Sequence, residues 1–272
     1  MLMQRILTAV PLALLLLWVI LYRDSEEFSW LLYLIATLAG WEWAKLSGMI
    51  PSALRALYAL TVLMVAVVLV VDVLAINLIL LWVAIVWWLY MTIRMFTYTP
   101  TPMQLPSWGK MALGVLIIPL AVVAMHEVHS THSAQWLLYG LLLVWVADIG
   151  AYFAGKRFGK QKLAPAVSPG KTREGLYGAM LMTTLYSAIA GQWFGLSLTA
   201  AALLVVLSIA LTVVSVIGDL YESILKREFG VKDSGAILPG HGGILDRIDS
   251  VLATMPAFAV ALPYLLDVSG TL

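Results

Sequence analysis

The chain has 272 residues, 62% of them hydrophobic and only 11% charged, with a formal net charge of +1. Such a composition excludes a soluble globule, and so balanced a charge gives no bulk attraction for nucleic acid. With no cysteine, thiol catalysis, disulfides and cysteine-bound metal are excluded as well.

A bilayer span takes ~17–25 apolar residues. Runs of about that length fall at 6–22, 28–46, 53–71, 73–96, 110–125, 134–153, 175–194, 196–218 and 250–266. The expectation is an all-α polytopic membrane protein of about nine transmembrane helices. The stretch from Ala53 to Met95 is almost continuously apolar and too long for one span, so it requires a tight turn near Asp72. Arg5 before the first run resembles a signal-peptide start. No small-x-small cleavage site follows, however, and Tyr22-Arg23-Asp24 closes the run, so a retained first span is expected.

The connecting segments alternate in charge. Arg5, Lys45, Arg55, Arg94 and Lys110 lie at the N-terminus and in the second and fourth loops. Lys156, Arg157, Lys160, Lys162, Lys171 and Arg173 crowd the sixth loop, and Lys226, Arg227, Lys232 and Arg247 the eighth. The odd loops hold Asp24, Glu26, Glu27, Asp72 and Glu127, with Arg23 their only cation. The positive-inside rule then places the N-terminus in the cytoplasm and the C-terminus outside. Residues 1–272 read as a single integral membrane domain, with N-terminal spans over 1–110 and catalytic spans over 111–272. Its cytoplasmic loops, 154–174 and 219–249, face the nucleotide pool. Trp18, Trp30, Trp41, Trp108, Trp136 and Trp193 fall near span ends, where interfacial anchors belong.

Two features of the first half carry weaker signals. Glu42, at the edge of a span, reads either as a functional ionisable group or as a snorkelling partner for Lys45. His126-Glu127-Val128-His129 lacks the i, i+4 histidine pair of a zincin helix. With His132 it reads as a solvated external loop.

The sixth loop follows Asp148-Ile-Gly-Ala-Tyr152. Ser168 before Pro169 suits an N-cap with proline at the first helical position, and Thr172 is a second candidate cap. Helical N–H groups beside Lys171 would suit a phosphate. Gly170-Lys171-Thr172 imitates the end of a Walker A loop, but the first glycine of that motif would fall at Pro165, after a span instead of a strand.

The eighth loop, 219–249, is the densest cluster of charge. If the preceding helix continues, Asp219, Glu222, Ser223 and Lys226 stand at i, i+3, i+4 and i+7, on one face. Asp246 and Asp249 would share a face at the start of the last span. Pro239-Gly240-His241-Gly242-Gly243 cannot be regular helix, and its glycines allow backbone N–H groups to converge on an anion. Carboxylates, cations and a Gly-rich turn together suit a metal-bound polyphosphate.

These residues carry a resemblance. Ser223-x-x-Lys226-Arg227, Lys232-Asp233-x-Gly235 and His241-Gly242-Gly243-x-x-Asp246-Arg247-x-Asp249 are similar to the signature of the phosphatidate cytidylyltransferases, also called CDP-diacylglycerol synthases. Asp148-x-Gly-Ala-Tyr152 and Ser168-Pro-x-Lys171-Thr172-x-x-Gly175 match two further elements. Arg173 departs from the family, where tryptophan is common.

The resemblance implies that phosphatidate and CTP give CDP-diacylglycerol and pyrophosphate, for phospholipid synthesis at a bacterial-type inner membrane. It implies Mg²⁺ on Asp219, Asp246 and Asp249, with Asp148 and Glu222 as alternatives and a second cation in addition. Lys226, Arg227, Lys232 and Arg247 would hold phosphates. Ser223 and Asp233 belong to the same substrate-binding signature. Gly242 and Gly243 would let backbone approach the triphosphate. His241 would protonate the leaving pyrophosphate or hydrogen-bond to it, and Ser168, Lys171 and Thr172 would meet the nucleotide. Asp246→Asn is expected to cost activity and spare folding. A homodimer is implied. Two other classes fit the residues less well: another CTP-dependent transferase or kinase acting on a lipid or isoprenoid alcohol, and a cation-coupled transporter.

Overall fold

The computed structural model describes residues 2–71, 75–97 and 105–270. Among them are nine α-helices: α1 (Leu2–Tyr22), α2 (Ser25–Leu46), α3 (Ser52–Val71), α4 (Ala75–Thr97), α5 (Ser107–Glu127), α6 (Ala134–Phe158), α7 (Arg173–Trp193), α8 (Leu198–Glu228) and α9 (Leu245–Ser269). Each coincides with one expected apolar run. The turn expected at Asp72 lies outside the described residues. By length and composition, six of the described helices can cross a membrane: α3 to α6, α8 and α9. The others are shorter in apolar length or more polar, α2 for instance carrying Glu26, Glu27, Glu42 and Lys45.

One apolar cluster runs from Val19 of α1 to Leu266 of α9 and draws on every helix. α5 and α9 are its axis, with α9 packed against α4, α5, α6 and α8. Small residues let two helix pairs approach closely. A side chain on Gly178 of α7 would collide with Ala154 of α6. One on Gly218 of α8 would lie 2.6 Å from the Asp249 carbonyl oxygen of α9. Without side chains at these crossings the backbones can touch, as small residues permit in membrane helices. A hydroxyl ladder adds polar contacts between α6, α7 and α8. Tyr139 Oη donates to Ser187 at 3.1 Å and lies 2.5 Å from Ser208 Oγ, while Thr212 donates to Thr183 at 2.9 Å.

Four local expectations are corrected. Residues 154–174 are not all loop, since α6 continues to Phe158 and an antiparallel hairpin of β1 (Lys162–Ala164) and β2 (Ser168–Thr172) follows. Ser168 begins β2 instead of capping a helix; Thr172 is the cap of α7, accepting from the Gly175 amide at 3.1 Å. Residues 219–228 remain in α8, so the eighth loop is only 229–244. Trp136 is buried, stacked on Phe194 with centroids 3.9 Å apart, and does not face an interface.

The histidine-rich segment is also not a solvated loop. α5 passes into a π-helical turn, Val128–His132. Ser29 Oγ lies 2.8 Å from His126 Nδ1, Ser25 Oγ lies 2.9 Å from His129 Nδ1, and the other nitrogen of His129 meets the Ile20 carbonyl at 2.9 Å. These side chains join the end of α5 to α1 and α2.

Candidate active site

The charged positions converge at one end of the bundle. There the C-terminal ends of α2, α6 and α8 meet the N-terminal ends of α5, α7 and α9. Lys110 of α5 pairs with Glu228 of α8 at 2.5 Å. Arg227 reaches the Val167 carbonyl of the hairpin at 3.5 Å. The sixth and eighth loops, separate in sequence, therefore form one surface.

Its first part is a cleft of about 520 Å³, lined by Asp148, Tyr152 and Lys156 of α6, Lys171 and Thr172 of β2, and Val216 and Asp219 of α8. The continuous α8 aims Asp219 into it, as the i, i+3, i+4, i+7 spacing predicts. Lys171 Nζ lies 2.7 Å from Asp219 Oδ2 and 3.2 Å from the Val216 carbonyl. Ser223, one turn on, donates weakly to Asp219 at 3.4 Å. A second cavity of about 470 Å³ shares Leu163 and Leu176 with the first and is edged by Arg173, Tyr177 and Met180.

The second part is more enclosed. Lys226 donates at 2.6 Å both to Glu222 Oε2 and to Asp246 Oδ1. Asp246 Oδ2 accepts from the amides of Gly243 at 2.7 Å and Ser234 at 3.0 Å, and lies 3.0 Å from Ser234 Oγ. Both oxygens of Asp246 are thus engaged by protein donors. Asp249, one turn further along α9, instead stands within electrostatic reach of Asp219, Lys171 and Lys226. Asp148 feels Asp219, Lys171 and Arg247 in the same way.

The Gly-rich turn is closed by backbone bonds. Leu238 and Gly242 pair at 3.0 Å, the His241 amide donates to the Leu238 carbonyl at 2.9 Å, and Gly242 takes φ +85°, which a side chain would strain. Two of its amides, at His241 and Gly243, have protein acceptors, as has that of Leu238 just before it. Gly243 does not clear the way for a ligand. A side chain there would run into Ser234 Oγ and the Glu42 carboxylate. Glu42 of α2, buried at 1% exposure, is the residue the sequence reading left undecided. Its Oε2 accepts from Ser234 Oγ at 3.0 Å and from the Leu245 amide at 2.9 Å. It is not set against Lys45 in any of these contacts.

The remaining expected residues occupy varied places. His241 Nδ1 lies 3.0 Å from Thr8 Oγ1 of α1, and its carbonyl accepts from Arg247 at 2.9 Å. Arg227 is turned to the carbonyls of Val167 and Val231. Lys232 and Asp233 are exposed in the loop.

Whether magnesium suits these residues can be asked of the donor set. Among the described residues, no three His, Asp or Glu converge tightly enough to cage a metal. Magnesium seldom needs such a cage, since it is usually held by one or two carboxylates with substrate phosphates and water. The five carboxylates Asp148, Asp219, Glu222, Asp246 and Asp249 share their surroundings with three cations, Lys171, Lys226 and Arg247. The formal excess of two negative charges suits a divalent cation.

Comparison with known proteins gives the family. A model of the cytidylyltransferase family matches residues 3–265. The chain belongs to the cytidylyltransferase family. Among the family's members, a phosphatidate cytidylyltransferase of Pseudomonas aeruginosa is 42% identical over 96% of this chain and 97% of its own length. One from Haemophilus influenzae is 35% identical over 95% of this chain and 98% of its own. One from Staphylococcus epidermidis is 41% identical across 55% of this chain and 57% of its own.

Proposed function

We propose that this protein is a membrane-embedded phosphatidate cytidylyltransferase, transferring CMP from CTP to phosphatidate and releasing pyrophosphate. The observation that carries the reading is the cleft between α6, β2 and α8, where Lys171 and the carboxylates Asp148 and Asp219 line a space of nucleotide size. Membership of a family with phosphatidate cytidylyltransferases at near full-length coverage supports it.

The attacking group is the lipid phosphomonoester, whose second pKa is ~6, so it is mostly dianionic near neutrality. No strong base is then required, and His241, held to α1 and Arg247, has only to hydrogen-bond. The difficulty is the meeting of two anions. Lys171 would hold the CTP phosphates, Arg247 at the exposed start of α9 would add a bidentate contact, and Lys226 would supply positive charge behind them. Arg173 and the second cavity beside the cleft suit the lipid side, with the acyl chains remaining in the bilayer. Magnesium would be held by Asp219 and Asp249 with Asp148 beside them, and a second cation would find the remaining carboxylate charge. When bound, the metal screens phosphate charge and stabilises the leaving pyrophosphate. In this reading Asp246 and Glu222 hold Lys226.

The placement in the membrane extends the proposal. Nine spans, a cytoplasmic N-terminus and an external C-terminus put this end of the bundle on the cytoplasmic side of a bacterial inner membrane, as the alternating loop charges support. Single cysteines at Ser130 and Lys160 should then label from opposite sides, and labelling of both from outside intact cells would refute it. A homodimer is the assembly the family resemblance favours, to be checked by light scattering in detergent. The activity is tested by incubating purified protein with phosphatidate, labelled CTP and magnesium. A magnesium-dependent CDP-lipid is expected, and no CDP-lipid from well-folded protein would end the reading.

A further inference from the structure

Glu42 is a buried carboxylate delivered to the site by α2, a helix outside the signature motifs. Helix α9 begins without a side-chain cap of its own, since Ile244 stands at its N-cap position. Its first amides would be orphaned in a buried setting. Glu42 takes up one of them, accepting from Leu245 across 203 residues of sequence, while Asp246 reaches back to the Gly243 amide just before the helix. Glu42 thus caps α9 from another helix, and its negative charge faces the positive end of the α9 dipole.

Ser234 Oγ sits midway. It lies 3.0 Å from Glu42 Oε2 and 3.0 Å from Asp246 Oδ2. A hydroxyl has one proton and serves one acceptor at a time, so the two carboxylates compete for it. Asp246 in turn fixes Lys226 at 2.6 Å. The chain of contacts therefore runs from α2 through the eighth loop to a cation of the site.

The glycines of the motif make room for this. A side chain on Gly235 or on Gly243 would collide with the Glu42 carboxylate. Two glycines thus frame one buried acid, and Glu42 Oε1 between them has no hydrogen-bond partner. A carboxylate so enclosed fits a role in fixing the surrounding backbone.

We infer that Glu42 is a positioning residue for cytidylyl transfer: through Ser234 and the start of α9 it sets Asp246 and Lys226, and with them the eighth loop. This deepens the proposed function and rests on it for its kinetic consequences. Three variants disturb the same contact independently: Glu42→Gln, Ser234→Ala and Gly235→Ala. Each should lower kcat about tenfold, the scale expected when charged groups shift by a fraction of an ångström, with a much smaller change in KM for CTP. The double variant Glu42→Gln with Ser234→Ala should lose no more than the worse single one, because both act through one relay. Amide hydrogen exchange over 230–246 should accelerate in all three, a readout independent of turnover. Wild-type kcat in all three variants, or losses that follow melting temperature alone and add in the double variant, would overturn the inference. If the wild-type protein forms no CDP-lipid while the 230–246 exchange still responds, the proposed function fails and the coupling stands.

Discussion

Lys171 and Lys226 each meet an aspartate on a different element, but in different surroundings. In the Lys171–Asp219 pair the side chains are 22% and 34% exposed and line an open cleft. In the Lys226–Asp246 pair they are 12% and 8% exposed, and Glu222 behind them is 3% exposed. A half-buried pair that opens onto a cleft contributes less to stability than an enclosed one and can exchange its partner for a substrate phosphate. An enclosed pair is held by mutual need, because removing one member strands the other without solvent. Under the proposed function, similar ion pairs divide between holding substrate and holding the protein. Burial decides which does which.

The contrast can be broken most strongly at Lys226. Lys226→Ala leaves Glu222 and Asp246 without their cation, and loss of one partner of a buried pair costs about 3–5 kcal/mol. Detergent melts should show a marked destabilisation and turnover should vanish; a melt like wild type would place this cluster with the substrate contacts. Asp246→Asn comes next. Its amide group would set a donor against the amides of Gly243 or Ser234, and an unsatisfied buried group costs about 1–3 kcal/mol. Sequence alone suggests that this substitution spares folding, whereas its contacts say that stability falls along with activity. Equal melts with and without the substitution would return Asp246 to the role of a metal ligand. Lys171→Ala should be the mildest for the fold, within about 1 kcal/mol, while raising KM for CTP about tenfold, a change of ~1.4 kcal/mol in binding. A loss confined to phosphatidate affinity would assign Lys171 to the lipid phosphate.

Much of this was legible in the sequence. Apolar runs gave all nine helices because each must bury or face lipid over nearly its whole length. The spacing of Asp219, Glu222, Ser223 and Lys226 is what a continuing helix would show, but the charge there makes 219–228 read as loop, whereas α8 runs on to Glu228. The β1–β2 hairpin was hidden, since Ser168-Pro169-Gly170-Lys171-Thr172 lacks the alternation that marks a strand, and Thr172 is its only β-branched residue. Its serine and proline imitate a helix start, and only the register with Lys162–Ala164 makes it a strand. Glu42 was visible as an ionisable group in an apolar run. Its partners were not, because Ser234 lies 192 residues away and no local pattern encodes such a contact. Gly243 looked like room for a ligand because an absent side chain does not say what fills the space.

The length of α8 has a consequence for the lipid around it. Its apolar part, Leu198 to Gly218, covers about 31 Å at ~1.5 Å per residue, close to the ~30 Å hydrocarbon thickness of a bilayer. Asp219 follows immediately, so if this stretch fills the hydrocarbon, that charge of the cleft stands at the boundary with no apolar margin. In a thicker bilayer that carboxylate and its lysine must either be drawn into hydrocarbon or be spared by local thinning, each at a modest cost per ångström. Turnover in nanodiscs of lengthening acyl chain should therefore decline past a matched thickness. A protein so placed would gauge the thickness of the membrane whose lipids it helps to make.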